Sequence, residues 1–372
     1  MASDTSEPRP DASRPRTTGP LPPEAIAAAA RELEPELLEA IALRADEIAD
    51  DLGERLGMVA WEREEQIGSA QRCLLELREA EDLGRGEPVL VRELRAQPLE
   101  ALDLAWRALR AGRRVHVESE AGACPGVYRI LRELSDLLGG DALSVTPPGV
   151  IDHDHASWRS IGVSPRHERV ALIQADADRE LAAYVLARAC LRRSGFDPRV
   201  VHRVIVIGPT QRLEQNLRRL WIGARMGPVD DEHAFAGPVD DAHAARFTAA
   251  ESAWRALDHI STICPGGTLQ RADAPGQCFL APALFRANLD HDHFPKNEPA
   301  PQGPMLVIYS AGTNADAPVR AERLVDHFAL VEHGRLRFGS KPRDLELRPI
   351  DRQIHGALLV ERLPPGLPEP RP

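Results

Sequence analysis

The sequence predicts an α/β protein in two units, each a parallel sheet wound with helices. Two observations predict it. In the first half, short β-prone runs alternate with helical runs: Pro88 to Val91, Leu99 to Leu109, Arg114 to Val117 and Val127 to Leu138. The second half repeats the alternation with Val170 to Gln174, Arg179 to Arg193 and Arg203 to Ile207. With 372 residues the chain is long enough for two sizeable cores.

Taken in order, residues 1–22 are rich in Ser, Thr, Pro, Asp and Arg without an apolar stretch, and read as a disordered leader. From Pro23 to about Leu83 the apolar spacing is helical, and two or three amphipathic helices fit it. The helix from Leu99 ends at Ala111-Gly112 and the one from Val127 at Gly139-Gly140, glycine being the usual helix stop. A helix from Gln211 to Ala224 precedes two near-copies, Gly227 to His233 and Gly237 to His243. Met305 to Tyr309 reads as a strand and Val319 to Val331 as a helix. Leu336 to Val360 holds two or three strand-like runs, and the tail from Leu363 is Pro-rich. The expected units are therefore 1–22, 23–165, 166–334, a strand-rich arm at 335–362 and a loose tail at 363–372.

A net charge of -11 argues against nucleic acid and against an anionic membrane surface. No stretch approaches the roughly 20 apolar residues of a membrane span. Lysine occurs only at 296 and 341, so no lysine chemistry is available before residue 296. The five cysteines, Cys73, Cys124, Cys190, Cys264 and Cys278, are scattered without a CxxC pair, which fits a reducing cytosol better than a disulfide framework or structural zinc.

The run Ala171 to Asp178, which ends in Asp176-Ala177-Asp178, resembles the core of an aldehyde dehydrogenase together with the helix after it and His202-Arg203 to Val206. In that superfamily a strand ends in Asp-Ala-Asp, a helix follows, a Gly-Gln-x-Cys turn presents the nucleophile, and an Arg opens the next strand. Further pieces keep the family's order: Pro98-Leu99 to Gly112, Val115 to Glu120, Gly276 to Phe285, and Glu298 with Gly303-Pro304 as an echo of Glu-x-Phe-Gly-Pro. A tandem duplication is the bland reading of the near-copies; the resemblance offers a better one, the family's Gly-x-Pro-x-Asp turn followed by a Gly-Pro-Leu turn that opens a helix. The resemblance covers roughly residues 35 to 310. It implies a reduced Rossmann-type domain, a second catalytic-type α/β domain and an oligomerisation arm.

The resemblance also implies that the family's chemistry is missing. Its spacing from Asp178 puts Pro198 at the nucleophile position, while the same count puts Arg203 on the family's Arg. Proline offers no nucleophile and no backbone N-H for an oxyanion hole. The general-base position falls on Ser164, within a segment shorter than the family's pyrophosphate-holding turn and helix. The oxyanion Asn position falls near Ala96; the first asparagine in the chain is Asn216. The ribose-binding Lys position falls on Glu118, which could still bond a ribose hydroxyl but would repel the phosphate of NADP. No tightly bound cofactor is expected, and NAD only at low affinity.

Asp152-His153-Asp154-His155 and Asp290-His291-Asp292-His293 offer metal-ligand types, with His233 and His243 as weaker echoes. Alternate residues point apart in extended chain, so two polar surface loops are the favoured reading and no metal is expected. Gly276-Gln277-Cys278 imitates the active-site spelling, but its surroundings predict a buried thiol, as does the core-like spacing of Cys190. The five tryptophans read as packing residues.

The function these readings favour is a cytosolic pseudoenzyme with a structural, assembly or regulatory role, as a homo-oligomer or as a heteromer with an active dehydrogenase paralogue. The alternatives are an NAD-dependent aldehyde or semialdehyde oxidoreductase with relocated chemistry, and a nucleotide or aldehyde sensor.

Overall fold

The computed structural model describes residues 21–76, 87–93, 98–155, 157–161, 169–197, 200–288, 298–328 and 335–339. The leader up to residue 20, most of the arm and the tail lie outside the described residues, as do Ala96, Ser164 and Pro198.

Four helices open the described chain, not two or three: α1 (Pro23–Glu32), α2 (Glu34–Leu43), α3 (Ala45–Leu56) and α4 (Ala60–Glu76). Pro35 lies in the first turn of α2, where its missing N-H costs nothing, and so marks a break that apolar periodicity alone runs through. Gly57 ends α3 in the left-handed conformation at φ 66°, where an added Cβ would lie 2.3 Å from the Pro238 carbonyl oxygen.

The first sheet contains β1 (Val89–Glu93), β2 (Val115–Ser119), β3 (Leu143–Val145) and β4 (Arg159–Ile161) in the order β3-β2-β1-β4, all parallel. Helices α5 (Pro98–Arg110) and α6 (Pro125–Leu138) make its crossovers. Helices α1 to α3, α5 and α6 bury Ile26, Leu37, Ile48, Trp106 and Ile130 in one core with Val89 and Val117 of the sheet. Truncating Trp106 to Ala would cost about 3–5 kcal/mol through lost burial and the cavity left behind.

The second half contains β5 (Arg169–Ile173), α7 (Arg179–Leu191), β6 (Val201–Ile207), α8 (Gln211–Gly223), α9 (Asp241–Arg255), β7 (Ile260–Cys264), the hairpin strands β8 (Gly267–Arg271) and β9 (Ala274–Ala281), β10 (Ala283–Ala287), β11 (Met305–Gly312), α10 (Ala317–Phe328) and β12 (Arg335–Phe338). The second sheet has the order β12-β5-β6-β11-β10-β7, with only β7 antiparallel, and β8 and β9 pair antiparallel as a separate two-stranded sheet. All seven residues of β6 are buried, because apolar cores cover both faces of the sheet.

Within the segment expected as an arm, Arg335–Phe338 pairs in parallel with Val170 to Ile173 as the edge strand of the second sheet. The near-copies also differ in conformation. Gly227 to His233 forms a turn closed by the Met226–Ala236 bridge, whereas Gly237 to His243 opens α9 with Asp240 as its N-cap.

Candidate functional site

Asp178 caps α7 by accepting from the backbone N-H groups of Glu180 at 2.8 Å and Leu181 at 3.1 Å. Beyond α7 the chain tightens into a 3-10 turn, Arg192–Gly195, in which Arg193 and Ser194 hold φ of 47° and 50°. That region costs a non-glycine residue roughly 1–2 kcal/mol, so long-range contacts must offset it. The Arg193 N-H donates to Glu62 Oε1 at 2.6 Å, and Ser194 Oγ donates to the Gly237 carbonyl at 2.7 Å. Gly195, at φ 79°, lies against Gly303-Pro304 with an added Cβ only 2.0 Å from Gly303 C.

Helix α4 supports this turn from behind. Glu65 binds Arg188 at 2.6 Å and Arg192 at 3.1 Å, and Arg192 also faces the buried Asp197 at 3.8 Å. Trp61 donates to the Phe235 carbonyl at 3.0 Å and lies under the Arg188 guanidinium. Burial pushes the Glu62 carboxyl up to about 7, against the pull of the Arg193 and Val59 N-H groups and the charges of Arg192 and Arg193.

A cavity of about 600 Å³ opens in front of the turn, lined by Arg193, Phe196, Leu56, Glu120, His243 and Gln277 among others. His243 Nδ1 is 2.6 Å from Asp240 Oδ1, and its ring meets Phe196 edge-on at 4.2 Å. No thiol among the described side chains is poised to ionise. Burial pushes Cys124 up to about 12 and Cys190 higher still, and it also raises Cys264 and Cys278. Cys278 is half-buried, not buried as its surroundings in the sequence suggested, and packs against the same core as Phe196 and Val239. Glu298 turns inward, accepting from Tyr309 at 2.5 Å and pairing with His259 at 3.1 Å.

Glu118, the residue expected at a ribose, stands buried on β2. Its Oε1 accepts from the Asp152 N-H at 3.1 Å, and its Oε2 lies 3.7 Å from Arg92 Nε. Two residues earlier on the same face, His116 stacks on His155 with ring centroids 3.9 Å apart and planes 6° apart. His116 Nδ1 is 2.7 Å from Ser144 Oγ, His155 Nδ1 is 3.0 Å from Asp152 Oδ2, and Trp158 meets His155 edge-on at 4.5 Å. Burial, then the neighbouring His155, holds His116 below the usual histidine range. The first Asp-His-Asp-His motif is therefore not an extended loop: it turns through a 3-10 helix at His153–His155 and carries Asp152 and His155 to the sheet. Ligand atoms of His116, Asp152 and His155 all lie within 4.8 Å of one another. Sequence reasoning missed His116, because its partners come from a loop 36 to 39 residues further on. The second motif lies outside the described residues.

No known family model matches the chain, and no curated protein resembles it in sequence. The likeness is to solved structures. A methylmalonate-semialdehyde dehydrogenase from Oceanimonas doudoroffii is 15% identical with a TM-score of 0.64, over 88% of this chain and 74% of that enzyme. An NAD-dependent benzaldehyde dehydrogenase from Corynebacterium glutamicum is 14% identical with a TM-score of 0.64, over 90% of this chain and 83% of that one. An NAD-dependent aldehyde dehydrogenase from Sinorhizobium meliloti is 15% identical with a TM-score of 0.63, over 84% and 74%. The chain has the aldehyde dehydrogenase fold. Among the described residues no helix is long and apolar enough to cross a membrane.

Proposed function

We propose that this chain is a divergent, catalytically silent member of the aldehyde dehydrogenase superfamily, acting in the cytosol as an assembly or regulatory partner. The observation that carries this reading is the turn after α7. Its strained backbone is held by Glu62, Ser194 and the tight Gly195–Gly303 approach. The family's spacing then brings Pro198 where a thiolate is needed. The raised thiols of Cys124, Cys190, Cys264 and Cys278 supply no substitute. The described residues also fit a dinucleotide poorly. Glu118 is committed to the Asp152 N-H, and His155 and Trp158 occupy the face beside it.

Two measurements test this reading. Calorimetric titration with NAD is expected to be silent at micromolar concentrations, and a panel of aldehydes with NAD is expected to give no reduced-nicotinamide absorbance. Turnover would overturn the proposal in favour of an oxidoreductase with relocated residues. The partner is a second copy of this chain or an active dehydrogenase paralogue, and light scattering showing a monomer both alone and with such paralogues would remove that part. A ligand sensor is the second reading, favoured by the cavity bounded by Phe196, His243 and Arg193. Aldehyde or nucleotide binding without turnover, weakened by Phe196→Ala, would select it.

A further inference from the structure

We propose that His116, Asp152 and His155 form a binding site for one divalent transition metal ion, with zinc the first choice. The cluster lies on the β2 face that also carries Glu118, away from the turn after α7, and the inference does not depend on whether the chain turns over an aldehyde.

The donor set is specific in kind. Two imidazoles and one carboxylate suit zinc or its borderline neighbours, whereas magnesium and calcium sites are built from oxygen. Three protein ligands leave a fourth position for water. His116 is 2% exposed, yet its Nε2 has no hydrogen-bond partner among the described residues. A buried ring nitrogen without a partner costs about 1–3 kcal/mol, and a metal ion would satisfy it. The outer contacts that metal ligands need are present as well: Ser144 Oγ fixes His116 through Nδ1, and the Glu118 carboxylate holds the backbone of Asp152.

The ligands come from two mechanically different places. His116 is fixed in β2 between two parallel neighbours, whereas Asp152 and His155 ride on a half-buried turn. Zinc bonds of about 2.0–2.1 Å put tetrahedral donors about 3.3 Å apart; Asp152 Oδ2 and His155 Nδ1 already lie 3.0 Å apart, and the three ligand atoms all lie within 4.8 Å of one another. Because the His116 and His155 rings lie stacked with their planes 6° apart, bringing both in-plane lone pairs onto one ion requires the His155 ring to swing out of the stack on the 152–155 turn while the strand stays still. A bound ion would thus pin this turn across the first sheet beside Glu118, and zinc and a nucleotide reaching Glu118 would exclude each other.

The test uses untagged full-length protein, stripped with a chelator and titrated with zinc chloride or cobalt chloride alone. One equivalent of zinc is expected to bind and raise the Tm, and cobalt is expected to give the strong visible band of a four-coordinate site. Asp152→Asn and His155→Gln, on the half-buried turn, are expected to weaken binding at least about tenfold while keeping the metal-free Tm. His116→Gln is expected to abolish binding, with circular dichroism reporting whether it folds. Absence of stoichiometric binding would overturn the site. So would unchanged affinity in both turn variants, which would assign the metal to other residues, such as Asp290 to His293.

Discussion

Glu93 at the end of β1 shows how one side chain can set a pH response. Ser119 donates to its Oε2 at 2.5 Å, while Oε1 is buried without a partner among the described residues. Burial, reinforced by Asp51 and Glu120, pushes the carboxyl from 4.5 up to about 7. The folded state keeps this proton to about 7, whereas the unfolded chain releases it near 4.5. The stabilisation is therefore full below pH 4.5 and is lost as pH rises through 7. Glu93→Gln keeps an acceptor for Ser119 and removes the charge. It should match the wild type in urea melts near pH 4.5 and exceed it at pH 8 by about 1–3 kcal/mol; a difference that does not change with pH would refute the assignment. Gly195→Ala is expected to cost about 3 kcal/mol, adding left-handed strain to overpacking against Gly303. The sequence marks Gly195 through the family's turn, but nothing marks Arg193 and Ser194 as left-handed. Arg193 is supported by Glu62, 131 residues away, and Ser194 by the Gly237 carbonyl, 43 residues away, and no local pattern records such partners.

Among the elements, α7 was the most legible; for the N-terminal helices the type was legible but not the number. The Asp-Ala-Asp spelling acquires a physical role here, because Asp178 satisfies two of the free N-H groups at the start of α7. Asp178→Ala should lower stability by about 1 kcal/mol in chemical denaturation, and Asp178→Asn should be close to neutral. Glu65→Ala on α4, which faces the other end of α7, should cost about 3 kcal/mol, because Arg188 and Arg192 would both lose their shared carboxylate. Of the strands that escaped sequence reading, β3 and β4 are three residues each, too short for an alternating pattern to show, and β8 is exposed along its middle. Strand β12 falls in the segment expected as an arm, since an edge strand and an oligomerisation strand have the same composition; its pairing with β5 is visible only in the structure. Trp158, read as packing like the other tryptophans, lies half-buried against the histidine pair, a contact created by the loop and not by any helical spacing.

The architecture of the whole molecule was legible because it is written redundantly, in the order of strands and helices and in the Asp178-to-Arg203 register. The histidine–aspartate cluster was not, since it exists only once β2 and the 152–155 turn are brought together. Helix α4 joins the two halves: Trp61 belongs to the second core and Ile67 to the first. Trp61→Ala should therefore lower the unfolding midpoint of both halves together, as read by hydrogen exchange on β2 and on β6. Exchange accelerated in β6 alone would show that α4 does not couple them. The bond from the Arg193 amide to Glu62 spans 131 residues of chain, which fixes when during folding the turn can take its shape. Until α4 docks, Arg193 lacks its bond to Glu62, so the turn is a late product of long-range closure and not a seed for it. In a refolding experiment the Arg193 amide should gain protection only after the α7 backbone has, and that delay would time the docking of the first four helices.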